Sequence, residues 1–357
     1  MLSYYSYITP LKKPFKTSMG NFASREGIII TYEKDGLRAY GEVAPLPGFS
    51  IDNLIEVKSV LLSNRNLIND FIDSENYDEL LNELSNSHPY PSLLFGIDTL
   101  IHDLKAKQQK IPFQELLFGK GTNQVLCNTT IGMQTTEEAL NQAELKIKEG
   151  FRTIKVKVGK DFQKEKEVLY SLRDHYPDIK LRIDANQAWE KGEAVTLLNQ
   201  LSSLNIEYCE QPVSAENISD LKWVSDRTEI PIAADESLAN KDNIIKIFEN
   251  KSCDLIVIKP ALFGSFEEIN VTKQLANSHN MVVVFTTTLD GVIGRKVTSV
   301  LASGLGSTNF AHGLGTGSFF YESYSSSEHI ENGRYLLNEC EPGLGHPIDL
   351  VQLKEVC

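Results

Sequence analysis

Long apolar runs are missing from this 357-residue chain. Nothing in it approaches the roughly 18 consecutive apolar residues that a membrane-spanning helix needs. The N-terminus reaches Lys12-Lys13 without the apolar core of a secretory signal. Cysteine is also sparse. Cys127, Cys209, Cys253, Cys340 and Cys357 are odd in number and scattered, with no Cys-x-x-Cys pair, which argues against a disulfide framework and a thiolate zinc site. Positive charge is in deficit, with 35 Lys and Arg against 48 Asp and Glu and a net charge of −13. That balance disfavours nucleic acid and anionic membrane as partners. No glycine-rich phosphate fingerprint follows a first strand, which sets an open doubly wound sheet behind other parallel folds. What remains is the profile of a soluble, cytoplasmic globular protein with 41% hydrophobic and 23% charged residues. An anionic substrate would have to be met by local cations, and homo-oligomerisation is left open.

The first third reads as α+β. Ser3–Thr9 and Gly27–Glu33 are strand-like, and Asp35-Gly36 predicts a hairpin turn into Leu37–Val43. Between the first two strands, Lys16–Phe22 is small and polar and reads as a loop. Leu46 and Phe49 stand in a Pro- and Gly-containing loop, Ala44–Ser50, which is either a surface turn or an apolar contribution to a pocket. Helices are expected over Asn53–Leu62, Tyr77–Leu84 and Pro91–Lys107, the last with Leu94, Ile97, Ile101 and Leu104 on one buried face.

From Val125 the texture changes to short apolar strands separated by amphipathic helices. Strand centres at Asn128, Val156, Ile183, Tyr208, Ala233, Ile258, Phe285 and His312 follow one another at 25 to 28 residues. Strand alternating with helix means parallel pairing through right-handed crossovers, and eight such units close into a barrel. This divides the chain into an α+β unit over 1–122, to which 325–357 return, and an α/β barrel over 123–324.

The chemistry gathers at the ends of the barrel strands. Asp184, Glu210 and Asp235 each end a short apolar run, 26 and 25 residues apart, and Lys259 follows 24 residues later. In a parallel barrel these ends share one mouth, and side chains alternate with period two. Lys155 and Lys157 therefore point the same way, as do Arg182, Asp184 and Asn186. Three carboxylates from adjacent strands repel one another unless a cation lies among them. Oxygen ligands without histidine or thiolate select a hard cation, Mg²⁺ before Ca²⁺ or Mn²⁺. A lysine acts as a base only if its pKa falls from about 10.4; burial beside Lys155 and a divalent cation is expected to lower that of Lys157.

Lys-x-Lys, Asp-x-Asn, Glu-Gln-Pro, Asp-Glu-Ser and Lys-Pro on five successive strands resemble the muconate-lactonizing branch of the enolase superfamily. The resemblance spans nearly the whole chain and implies a (β/α)7β modified TIM barrel under an α+β capping domain. It further implies Mg²⁺ on Asp184, Glu210 and Asp235, and an acid/base pair of Lys157 and Lys259. The loops holding Lys16, Leu46 and Phe49 would face substrate, with Lys155, Arg182, Asn186, Glu236, Ser265, Thr287 and Gly315 around the site. Gly41–Ser50, Pro91-Ser92 and Arg182 are similar to the o-succinylbenzoate synthase group within that branch. That similarity implies dehydration of 2-succinyl-6-hydroxy-2,4-cyclohexadiene-1-carboxylate, a small dicarboxylate, to 2-succinylbenzoate in menaquinone biosynthesis. Dipeptide epimerases of the same branch place Asp-x-Asp on the eighth strand to hold an ammonium group. Here His312–Gly317 has no acid, although N-succinylamino acid racemase or dipeptide epimerase activity stays as the alternative. A Schiff-base aldolase using Lys259, or a non-catalytic barrel, would not require the three acids.

Overall fold

Alternating aromatic and β-branched residues build a long antiparallel hairpin at the N-terminus of the computed structural model. The structure describes residues 1–17, 20–119, 121–321, 330–337, 341–345 and 348–356. Strand β1 (Leu2–Thr17) pairs with β2 (Gly20–Lys34) from Leu2↔Tyr32 to Thr17↔Gly20, with an irregularity between Pro10 and Phe15. Pro10 has no N–H to give the ladder. Lys16, Thr17, Gly20, Asn21 and Phe22, expected in a loop, therefore stand in paired strands, although residues 18–19 and the Lys16 side chain lie outside the described residues. Asp35 and Gly36 both take positive φ (53° and 75°) and turn the chain into β3 (Leu37–Val43). That is the backbone a two-residue hairpin turn needs.

One face of this sheet buries Tyr4, Ile28, Ile30, Tyr32 and Val43 against helices Leu54–Ser63, Arg65–Asp73, Tyr77–Ser87 and Pro91–Gln109. The helix Arg65–Asp73 is absent from the sequence reading. Its Asn and Asp residues are weak helix formers, and burial of Ile68 and Ile72 decides its conformation. The helix Pro91–Gln109 was expected to bury one face, yet every residue from Pro91 to Ile101 is buried. It lies against the sheet through Gly41 and Gly96, where a Cβ on Gly41 would stand 2.1 Å from the Gly96 carbonyl oxygen. On its other side, the Phe95 ring meets Phe266 at 6.0 Å between centroids. The cap helix is thus packed on both faces, which one-sided periodicity does not reveal.

A short strand, β4 (Gln124–Leu126), pairs with Arg334–Leu336. Seven parallel strands follow in sequential order: β5 (Thr129–Ile131), β6 (Thr153–Lys157), β7 (Lys180–Asp184), β8 (Ile206–Glu210), β9 (Ile232–Ala234), β10 (Leu255–Ile258) and β11 (Val282–Phe285). The eighth expected strand is reduced to the bridges Cys127↔His312 and Thr286↔Gly313, which join the two edges of the sheet. Glycines at 313, 315 and 317 weaken that run as a strand. Inward residues Tyr208, Ala233, Leu255, Val257 and Val284 fill the barrel, and outward ones such as Ile154, Ile183 and Ile256 pack under the helices. The first crossover helix, Thr136–Lys148, opens on a complete capping box of Thr135 and Glu138. Beyond the barrel, Lys354 and Glu355 pair with β1, and the Leu344 N–H donates to buried Asp103 at 2.7 Å. Among the described residues no helix is long and apolar enough to cross a membrane.

Candidate metal and acid–base site

Parallel register brings the strand ends together. Lys157 lies opposite Asp184, and Asp184 opposite Glu210. Glu210 lies opposite Ala233, so Asp235 follows just past the end of β9. Lys259 follows β10 directly. All three acids are buried, at 1%, 2% and 5% exposure. Charged groups withdrawn this far from water must be paired. Lys155 Nζ donates to Asp184 Oδ2 at 3.0 Å and to Glu210 Oε1 at 2.9 Å. Lys157 Nζ donates to Asp184 Oδ2 at 2.8 Å and to Asn186 Oδ1 at 2.5 Å. Lys259 is paired with Asp235. Asn186 in turn donates to Glu236 Oε1 at 3.0 Å, while Glu236 Oε2 is buried without a hydrogen-bond partner.

The charges are unequally compensated. Burial alone would raise Asp184, but the ammonium groups of Lys155 and Lys157 hold it well below the usual carboxylate range. Burial pushes Glu210 up to about 7; Lys155 opposes the rise, and repulsion from Asp184 and Asp235 adds to it. Asp235 is also raised, by burial and by Glu236, against the pull of Lys259. Burial does not free Lys155 or Lys259 as neutral amines. It works against the charge on Lys155 and Lys259, yet the carboxylates around each outweigh it and raise both pKa values.

Three acids and Glu236 against three lysines leave an excess of negative charge and an unpartnered buried oxygen. An oxygen-only donor set of this kind fits a hard divalent cation such as Mg²⁺. Among the described residues, however, no group of three His, Cys, Asp or Glu side chains is gathered as a ready ligand cluster. Each acid is turned to a lysine instead.

The other anticipated residues divide into two sets. Gly315 lines a small cavity with Lys155, Phe151, Thr286, Gly313 and Thr316. Thr287 is buried and shares a hydrogen bond with Thr316 at 2.7 Å. A groove of about 620 Å³ runs past Lys157 between residues 132–136 and 160–168. Arg182, by contrast, is wholly enclosed, bonded to Glu207 at 2.6 Å and to the Ala311 carbonyl at 2.6 Å, and stacked 4.6 Å from the Tyr208 ring centroid. It plugs the barrel interior one inward position before Asp184. The Ser265 hydroxyl caps the helix Phe266–Ser278. In the Ala44–Ser50 loop Leu46 is buried, at 5% exposure, and Phe49 is half-buried.

Two charged residues of the first third were not singled out. Glu42 is buried and accepts from the Tyr7 hydroxyl at 2.7 Å and from the N–H groups of Gly291, Ile293 and Gly294, at the start of the helix Val292–Leu305. Arg25 donates to the carbonyls of Ala44 at 2.6 Å, Pro45 at 3.1 Å and Leu289 at 3.0 Å. Together they tie the Ala44–Ser50 loop to the barrel loop after β11. A charge inside an apolar strand was the available signal, since such a group must find partners once folded.

Residues 138–352 match the family model described as Enolase C-terminal domain-like, and residues 1–104 match one described as MenC, N-terminal domain. The chain is 30% identical over 295 residues to an L-Ala-D/L-Glu epimerase of Clostridium acetobutylicum, covering 80% of each. It is 26% identical over 312 residues to an o-succinylbenzoate synthase of Bacillus subtilis, covering 85% of this chain and 81% of that one. A solved dipeptide epimerase from Enterococcus faecalis V583, complexed with Mg and the dipeptide L-Leu-L-Tyr, superposes with a TM-score of 0.86. It is 25% identical, and the match covers 96% of this chain and 98% of the other.

Proposed function

The chain belongs to the enolase superfamily, and on that premise we propose that it dehydrates 2-succinyl-6-hydroxy-2,4-cyclohexadiene-1-carboxylate to 2-succinylbenzoate. The observation that carries this reading is the closing edge of the barrel. Where a dipeptide's ammonium group would call for carboxylates, the residues are Gly313, Leu314, Gly315 and Thr316, and among the described residues no acid lines the cavity that Gly313, Gly315 and Thr316 form with Lys155. Glycine backbone and threonine hydroxyl suit an anionic succinyl tail instead. The match of residues 1–104 to the MenC N-terminal model supports the same choice.

In this reading Asp184, Glu210 and Asp235 hold Mg²⁺. When bound, the cation would supply positive charge to the ring carboxylate and so acidify the adjacent carbon. Lys157 takes the α-proton and returns it to the departing hydroxide, so that water leaves and the ring becomes aromatic. Lys259, kept charged by Asp235, Glu236 and Glu210, faces the developing enolate as a cation. Asn186 orients the Lys157 amine through its 2.5 Å contact.

A second reading has its own support. The 30% identity to an L-Ala-D/L-Glu epimerase favours α-proton exchange on a dipeptide or an N-succinylamino acid, which needs the same two lysines. Overall similarity leans toward this reading, and the closing edge of the barrel leans toward the first. Both are tested by supplying the cyclohexadiene substrate with and without Mg²⁺, and separately by following α-deuterium exchange into dipeptides and N-succinylamino acids. We expect metal-dependent aromatic product, lost in Lys157→Ala. Rapid exchange without any dehydration would transfer the assignment to the second reading.

A further inference from the structure

The parallel ladder between β8 and β9 ends too early to hold the third acid. Its last residue pair is Glu210↔Ala233, and the last main-chain bond runs from the Gln211 N–H to the Ala233 carbonyl at 2.9 Å. Asp235 is two residues further along. At Gln211 the backbone turns into the left-handed region, with φ of 38°, a conformation that costs a non-glycine residue about 1 kcal/mol. Its carbonyl then faces the neighbouring loop and accepts from the Gln187 N–H at 2.8 Å. No main-chain carbonyl of β8 is left for Asp235.

The Gln211 side chain fills that position. Its Oε1 accepts from the backbone N–H of Asp235 at 2.9 Å and of Ser237 at 3.2 Å. Its Nε2 donates to Ser237 Oγ at 2.8 Å and to the Val213 carbonyl at 3.0 Å. The side chain is fully buried, and all four bonding positions of its amide are used. A single residue therefore contacts the loops that follow both Asp184 and Asp235.

We propose that Gln211 is a positioning residue, whose side-chain amide replaces the missing rung of the ladder and sets Asp235 beside Asp184 and Glu210. This rests on the reading that those three acids hold a divalent cation. Groups that orient the ligands of a metal typically change its affinity by about 10- to 100-fold when removed. Gln211→Met keeps the length and volume but leaves the Asp235 and Ser237 N–H groups without an acceptor. Gln211→Glu keeps the acceptor oxygen, removes the N–H donors and puts a carboxyl group in their place.

The test is Mn²⁺ titration of the full chain followed by electron paramagnetic resonance, in wild type, Gln211→Met, Gln211→Glu and Asp235→Asn, with circular dichroism to verify folding. We expect Gln211→Met to weaken Mn²⁺ binding at least about tenfold and Gln211→Glu to stay within about threefold. A folded Gln211→Met that binds like wild type while Asp235→Asn loses the ion would overturn the role of Gln211 and leave the acid site standing. Unchanged binding in Asp235→Asn would overturn the acid site and this proposal with it. If Gln211→Met does not fold, Gln211→Glu decides: retained affinity supports the role of the acceptor, and a tenfold loss refutes it.

Discussion

Acid should open this barrel at its closing edge, through His312. The ring is buried, and its Nδ1 accepts from the Phe285 N–H at 2.9 Å, so the neutral tautomer carries its proton on Nε2. Burial, together with the nearby Arg182 guanidinium, pushes the pKa from 6.5 down to about 3. The unfolded chain therefore binds a proton below about pH 6.5 that the folded chain refuses until near pH 3. Stability from this group is fully present above about pH 6.5 and is lost as pH falls, at about 1.4 kcal/mol per unit. Between pH 7 and about pH 5 the loss comes to roughly 2 kcal/mol. The bridges Cys127↔His312 and Thr286↔Gly313 join the edges of the sheet here, so protonation strikes where the barrel closes. His312→Asn keeps an acceptor for the Phe285 N–H and removes the titration. Urea unfolding at both pH values, in wild type and variant, isolates the term from every other titrating group. Wild type should lose about 2 kcal/mol more than His312→Asn. Equal losses in the two proteins would refute a buried neutral His312.

Three further outcomes follow from the packing and the charges. Arg182→Met should destabilise the protein by about 3 kcal/mol, since it leaves Glu207 short of a buried partner, with KM changed less than about twofold; a large KM effect would instead place Arg182 at the substrate. Gly96→Ala gains up to about 1 kcal/mol of helix propensity, but its Cβ would stand 2.5 Å from Val43 Cγ2 and 2.8 Å from the Glu42 carbonyl oxygen. Overpacking of about 1–3 kcal/mol should win and lower the Tm, and an unchanged Tm would show that the cap helix can shift. Exhaustive chelation should abolish turnover and leave far-ultraviolet circular dichroism unchanged, because Lys155, Lys157 and Lys259 already pair the acids; turnover that survives chelation would remove the metal from the reaction.

Much of the architecture was written in local pattern. A spacing of 25 to 28 residues between strand centres can be read without coordinates, because each strand and helix shows its own periodicity. The acids and lysines could be read for the same reason: each ends an apolar run, and alternation along a strand decides which way it points. The helix Arg65–Asp73 and the two-sided burial of Pro91–Gln109 could not, since both depend on partners remote in sequence.

The sequence by itself determined which residues meet at the barrel mouth, because parallel register turns equal spacing along the chain into adjacency in space. Only the tertiary structure decided how those residues are held. It paired Lys155 and Lys259 with carboxylates strongly enough to override burial, enclosed Arg182 below the acids, and reduced the eighth strand to two bridges. It also turned Gln211 from a motif neighbour into the contact that fixes Asp235. Each of these is set by the balance of charge, desolvation and hydrogen bonding among groups far apart in the chain, a balance that exists only once the barrel has closed.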